Sequence, residues 1–127
     1  MMSENWNLPL GEDGVALGAS LYRQHCESCH RPNGEGVAGL YPPLVGTDWV
    51  TGSKDRLTAI ALRGLSVPIT VKGAVYEQEM PTFVVLDDEE IAAVLTFIRQ
   101  EWGNDAGAVQ ASEVAEERRL LEAESTR

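Results

Sequence analysis

Cys26-Glu27-Ser28-Cys29-His30 decides how this chain is read. On a helix, positions 26, 29 and 30 stand at i, i+3 and i+4, so two thiols and one imidazole leave a single face. Cys-x-x-Cys-His is the attachment signature of a c-type haem, with two thioethers to the macrocycle and the histidine on the iron. The chain holds two cysteines and two histidines, and the motif takes both cysteines and one histidine. A structural zinc site would want four Cys or His ligands, and only His25 remains, beside Cys26 and badly placed to close a tetrahedron. A thioredoxin-like pair would need a β/α alternation that the chain lacks. A plain disulfide would leave His30 without a purpose.

The 127 residues make one small domain with an appended segment, and a core of side chains alone would be modest. A covalent macrocycle would enlarge it. Ten basic against twenty acidic residues give a formal charge of −10. That balance argues against nucleic acid and against an anionic membrane surface, and predicts neutral or basic docking partners. No run of eighteen apolar residues exists to form a transmembrane segment. The opening MMSENWNLPLGEDG lacks the basic and apolar regions of a secretory signal. Because c-type attachment is a process of the bacterial periplasm and comparable compartments, the expected location is periplasmic, with a signal removed or the domain excised from a longer protein.

Outward from the motif, residues 1–13 read as an extended N-terminal arm and 14–102 as the domain. Val15, Leu17, Leu21 and Tyr22 suggest a helix leading into the cysteines. Arg31 to Gly39, with one proline and three glycines, reads as a loop. A second helix is expected over Asp55 to Arg63, with Leu57, Ile60 and Ala61 on one side. Residues 69–76 read as a small β-hairpin about Gly73. Asp87 and Glu90 form a capping pattern ahead of Ile91, Val94, Leu95 and Ile98, the clearest helix in the chain, ended by Trp102-Gly103-Asn104. The acidic extension 103–127 reads as a solvated helix capped by Ser112, adding little to the core. Its apolar Val114, Leu120 and Leu121 could serve partner docking or dimerisation.

A haem iron needs a second axial partner, and Met80 is the candidate by elimination, since Met1 and Met2 sit at the terminus and His25 adjoins Cys26. Pro81 denies a helix there and leaves the thioether on a loop. The bland alternative is that Met80 fills a core gap.

CESCH, the YPPLVG stretch at 41–46, the MPTF loop at 80–83 and the capped terminal helix together resemble a class I cytochrome c over residues 14–102. Tyr41 to Trp49, the hairpin and Trp102-Gly103-Asn104 resemble more closely the cytochrome subunits or domains of bacterial periplasmic dehydrogenases and terminal oxidases. The resemblance implies a mostly α fold around one covalent haem c, with a small β-hairpin and here an extra C-terminal helix. It implies electron transfer between a protein redox donor and acceptor, and no substrate turnover. Carried over by position, the Pro42 carbonyl would accept a hydrogen bond from His30, and Leu44 would pack on the ring. Trp49 and Arg63 would meet the propionates, although Arg63 reads equally as a surface arginine. Tyr76 and Phe83 would line the distal pocket. Only Lys54 and Lys72 occur, so a lysine-ringed docking face is excluded. The rival readings are a haem enzyme or ligand-binding sensor with a displaceable Met80, and the electron-entry domain of a larger oxidoreductase.

Overall fold

The structure, a computed structural model, describes residues 12–125. In chain order it contains α1 (Glu12–His25), α2 (Glu27–His30), α3 (Asp48–Thr51), α4 (Lys54–Arg63), β1 (Ile69–Val71), β2 (Ala74–Tyr76), α5 (Asp88–Gln100) and α6 (Ala111–Ser125). It is mostly helical, with one two-stranded sheet among the described residues.

The centre is the crossing of α1 and α5. Gly18 makes it possible, because a Cβ there would lie 2.5 Å from the Ala93 carbonyl oxygen and 2.9 Å from Phe97 Cβ. Leu21 and Tyr22 are buried against this partner, whereas Val15 is 50% and Leu17 is 38% exposed. Of the four residues that suggest this helix only Leu21 and Tyr22 reach the core, and contact follows them and Gly18, where the backbones approach. The helix also begins at Glu12, so positions 12 and 13 do not belong to an extended arm, and the rest of that arm lies outside the described residues.

The reciprocal capping box at the start of α5 forms as expected: Glu90 N–H donates to Asp87 Oδ1 at 2.8 Å, and Asp87 N–H to Glu90 Oε1 at 2.9 Å. Ile91, Val94, Leu95 and Ile98 are buried, but so are Ala92, Ala93, Thr96 and Arg99. Such burial on almost every side marks a helix covered by more than one neighbour. The second neighbour is α6, which packs against both α5 and α4.

That packing overturns the solvated-appendage expectation. Val109 and Val114 are 2% and 0% exposed and belong to the core. Arg99, itself 4% exposed, donates to the carbonyls of Val50, Gly52 and Gly107, at 2.9, 3.0 and 2.7 Å. It ties α3 to the tail. Asn104 donates to the Leu44 and Ile98 carbonyls and accepts from Gly46 N–H. Ser112 is not the cap: α6 starts at Ala111, and Glu113 Oε1 accepts from Gln110 N–H at 2.8 Å. Of the apolar tail residues named for docking, Val114 is buried, Leu121 packs on the core, and Leu120 stays 40% exposed.

The hairpin pairs Ile69 with Tyr76 and Val71 with Ala74. Lys72 and Gly73, with φ of 51° and 83°, form the tight left-handed turn that a two-residue connection demands. Both lysines serve the fold, Lys54 Nζ donating to the Ala108 carbonyl at 3.0 Å and Lys72 Nζ to the Val45 carbonyl at 3.3 Å.

Candidate functional site

At the end of α1 the helical hydrogen bonds carry on through the motif, although Cys26 itself is a turn residue, φ −122°, that caps α2. Cys26 N–H donates to Tyr22 O, and Cys26 O accepts from the N–H groups of Cys29 and His30, at 3.2 and 2.8 Å. This continuity turns Cys26 and His30 toward one cleft. The two cysteines are not joined in a disulfide. Burial first, then the neighbouring Cys29, pushes the Cys26 thiol up to about 12, so the sulfur sits neutral against apolar walls.

His30 Nδ1 lies 2.9 Å from the Pro42 carbonyl oxygen. A carbonyl can only accept, so the proton belongs on Nδ1 and the Nε2 lone pair is left for a metal. Burial lowers the imidazole's pKa and outweighs the opposing pull of the Pro42 bond, which keeps the ring neutral near pH 7. A neutral, oriented imidazole is what ligation requires.

The cleft is open to solvent at one side and is walled almost wholly by apolar atoms. Leu21 of α1, Leu57, Ile60 and Ala61 of α4, and Val94, Leu95 and Ile98 of α5 form the back; Pro42, Leu44 and Trp49 close another side. A second cleft shares His30, Met80 and Phe83 with it and adds Cys29, Tyr76 and the exposed Leu40 and Val67. Of the site residues read from the sequence, Cys26, Cys29, His30, Met80, Pro42, Leu44, Trp49, Tyr76 and Phe83 all line one cleft or the other.

Arg63 does not. Its Nη2 meets Glu124 Oε1 at 2.7 Å on the surface, a placement that matches its reading as a surface arginine. The cause is α6, which brings Glu124 to the end of α4. Trp49 lines the cleft, yet its indole N–H donates to the Thr70 carbonyl at 2.9 Å, and Arg56 lies 4.2 Å from its ring centroid.

Met80 is held by backbone. It exchanges two hydrogen bonds with Leu65, at 2.8 and 3.0 Å, while Phe83 N–H donates to Ala61 O at 2.8 Å. Gly64 permits the approach, for a Cβ on it would stand 2.5 Å from Met80 O. His25 meets Phe83 edge-on at 5.9 Å and also faces the cleft. Sequence reasoning missed Leu65 and His25 as parts of the site. The only available signal was Gly64, the sort of residue that marks a close backbone approach.

These residues fit a covalently bound macrocycle: two thiols and an oriented imidazole beside an apolar cleft. They do not fit a zinc cage, since no group of three or more His, Cys, Asp or Glu among the described residues could hold a metal ion.

Comparison with known proteins agrees. The family model described as Cytochrome c matches residues 15–102. The chain is 42% identical over 99 residues to a cytochrome c-552 of Thermus thermophilus, covering 72% of this chain and 66% of that protein. It is 38% identical over 100 residues to the cytochrome c subunit of the quinone alcohol dehydrogenase of Gluconobacter oxydans, covering 76% of this chain and 21% of the subunit. The cytochrome c subunit of gluconate 2-dehydrogenase from Pantoea cypripedii is 37% identical over 110 residues, covering 81% and 24%. The chain thus spans about two thirds of the first relative and about a fifth to a quarter of the dehydrogenase subunits.

Proposed function

The chain belongs to the cytochrome c family, and from that premise we propose that His30 and Met80 are the two axial ligands of its single haem c, which Cys26 and Cys29 hold covalently. The bound haem supplies a one-electron couple. The protein's own residues do the rest. Pro42 fixes the His30 tautomer, the walls of α4 and α5 keep water from the iron, and the Leu65 pairing holds Met80 over the cleft. The observation that carries this reading is that His30 and Met80 line the same apolar cleft while Met80 is anchored by backbone on both its N–H and its carbonyl.

With both axial positions filled, the chain transfers electrons between proteins and turns over no substrate. The setting we propose is the periplasm, as a free carrier or as the electron-entry domain of a dehydrogenase or oxidase complex. The likeness to a cytochrome c-552 and to cytochrome c subunits of dehydrogenases supports the electron-transfer part of this reading. No helix among the described residues is long and apolar enough to cross a membrane.

The test is Met80→Ala in haem-loaded protein. Loss of the ferric sulfur-to-iron charge-transfer band, a lower potential and binding of added imidazole are expected, because sulfur ligation favours the reduced state. A wild-type protein that is high-spin and binds ligands readily would favour a haem enzyme or sensor; an alanine variant with an unchanged band and potential would return Met80 to core filling.

A further inference from the structure

One side chain of the tail reaches the segment that carries Met80. Arg118 stands on α6, and its guanidinium divides three donors among three acceptors: Nε to Asp88 Oδ1 at 2.9 Å, Nη1 to the Val84 carbonyl at 2.9 Å, and Nη2 to the Leu86 carbonyl at 2.8 Å. Two of the acceptors, Val84 and Leu86, lie on the return leg of the Met80 loop, and the third, Asp88, is the first residue of α5, where that leg ends. The outgoing leg is fixed separately, by the Leu65 pairing at Met80 itself. Between the two anchors lie Pro81, whose φ is locked, and Phe83, bonded to Ala61.

We infer that Arg118 is a positioning residue for Met80: it pins the return leg of the loop to α6, so the tail helix determines how firmly the thioether is held in the cleft. The inference rests on Met80 being an axial ligand. The physical argument concerns an irregular segment. Val84 and Val85 are 48% and 88% exposed and bury little to hold themselves, so that of residues 84–86 only Leu86, 9% exposed, enters the core. A loop with few buried contacts opens locally at low cost unless something else ties it down. A partly buried guanidinium with three charge-assisted bonds is such a tie. Lysine could not replace it, since one ammonium on a flexible stem lacks the planar fork that spans three separated acceptors.

The experiment compares Arg118→Ala, Arg118→Lys and Arg63→Ala in the haem-loaded full chain. Arg63→Ala breaks the other arginine contact to α6, the pair with Glu124, away from the loop. Expected for Arg118→Ala is a weakened sulfur-to-iron band and imidazole entry faster by about tenfold or more, with Arg118→Lys between it and wild type. Arg63→Ala should stay within about twofold of wild type. Equal rates in the Arg118→Ala and Arg63→Ala proteins would overturn the inference. Amide hydrogen exchange separates it from the ligation reading. A wild-type protein lacking the band defeats Met80 ligation; faster exchange at Phe83 and Leu86 in Arg118→Ala alone would still support the pinning, and unchanged exchange would defeat that too. Should the alanine variant fail to mature, Arg118→Lys against Arg63→Ala decides by the same readouts.

Discussion

Gly64 has little freedom to change. Its φ is +74°, and an added Cβ would lie 2.5 Å from Met80 O and 3.2 Å from the Pro81 carbonyl carbon. Gly73 has a similar φ of +83°, yet nothing stands within 4 Å of its missing side chain. The pair separates backbone strain from steric push. Gly73→Ala should cost about 1 kcal/mol, the left-handed penalty alone. Gly64→Ala should cost roughly 2–4 kcal/mol, because displacement of packed backbone is added. Denaturant titration of the two variants measures the difference, and only Gly64→Ala should also weaken the sulfur-to-iron band. The place of Met80 at the cleft was legible in the sequence because so few alternatives exist, and that of Cys26, Cys29 and His30 because their spacing is rare. Leu65 was not, since its contribution is main-chain and any side chain could make it.

Among the elements, α5 was readable because Asp87 and Glu90 encode both halves of its cap and the apolar positions follow at helical spacing. The tail helix hid itself by having an arginine in the middle of its inward stripe. Val114, Arg118 and Leu121 fall at i, i+4 and i+7, and a charge at the centre of that row erases the periodicity on which burial is judged. Arg99 conceals the width of the α5 contact face in the same way. At the head of α6, burial alone would raise the Glu113 carboxyl, but the Gln110 N–H, Lys54 and Arg99 outweigh it and hold the group below the usual carboxylate range. A depressed folded-state pKa contributes stability above the unfolded value, about 4.5, which is lost as pH falls through the folded value. Glu113→Gln keeps an acceptor for Gln110 while removing the charge. Its melting temperature should therefore trail wild type near neutrality, and the gap should close as the pH is lowered below about 4.5. A gap independent of pH would mean that the carboxylate is not the contributor.

Taken whole, the molecule is a helical shell with the tail built in. Deleting residues 105–127 strips Val109 and Val114 from the core and leaves Arg99 without its Gly107 acceptor. The two valines alone correspond to roughly 3–6 kcal/mol, so the haem-loaded truncation should melt at least about 10 °C lower than the full chain. An unchanged melting curve would restore the appendage reading. The formal charge of −10 gives a second expectation at this scale. Electron exchange with a small cationic complex should slow as salt is added, and exchange with an anionic one should quicken. Equal salt responses would show that the charge lies away from the route of electron entry. The two lysines bear on how a docking partner can be found at all. Lys54 and Lys72 each hold a backbone carbonyl within the fold, so amine-directed cross-linkers would report damage to the tail or the hairpin instead of contact with a neighbour. Carboxyl-directed coupling, with twenty acidic side chains to draw on, is the chemistry suited to capturing the partner.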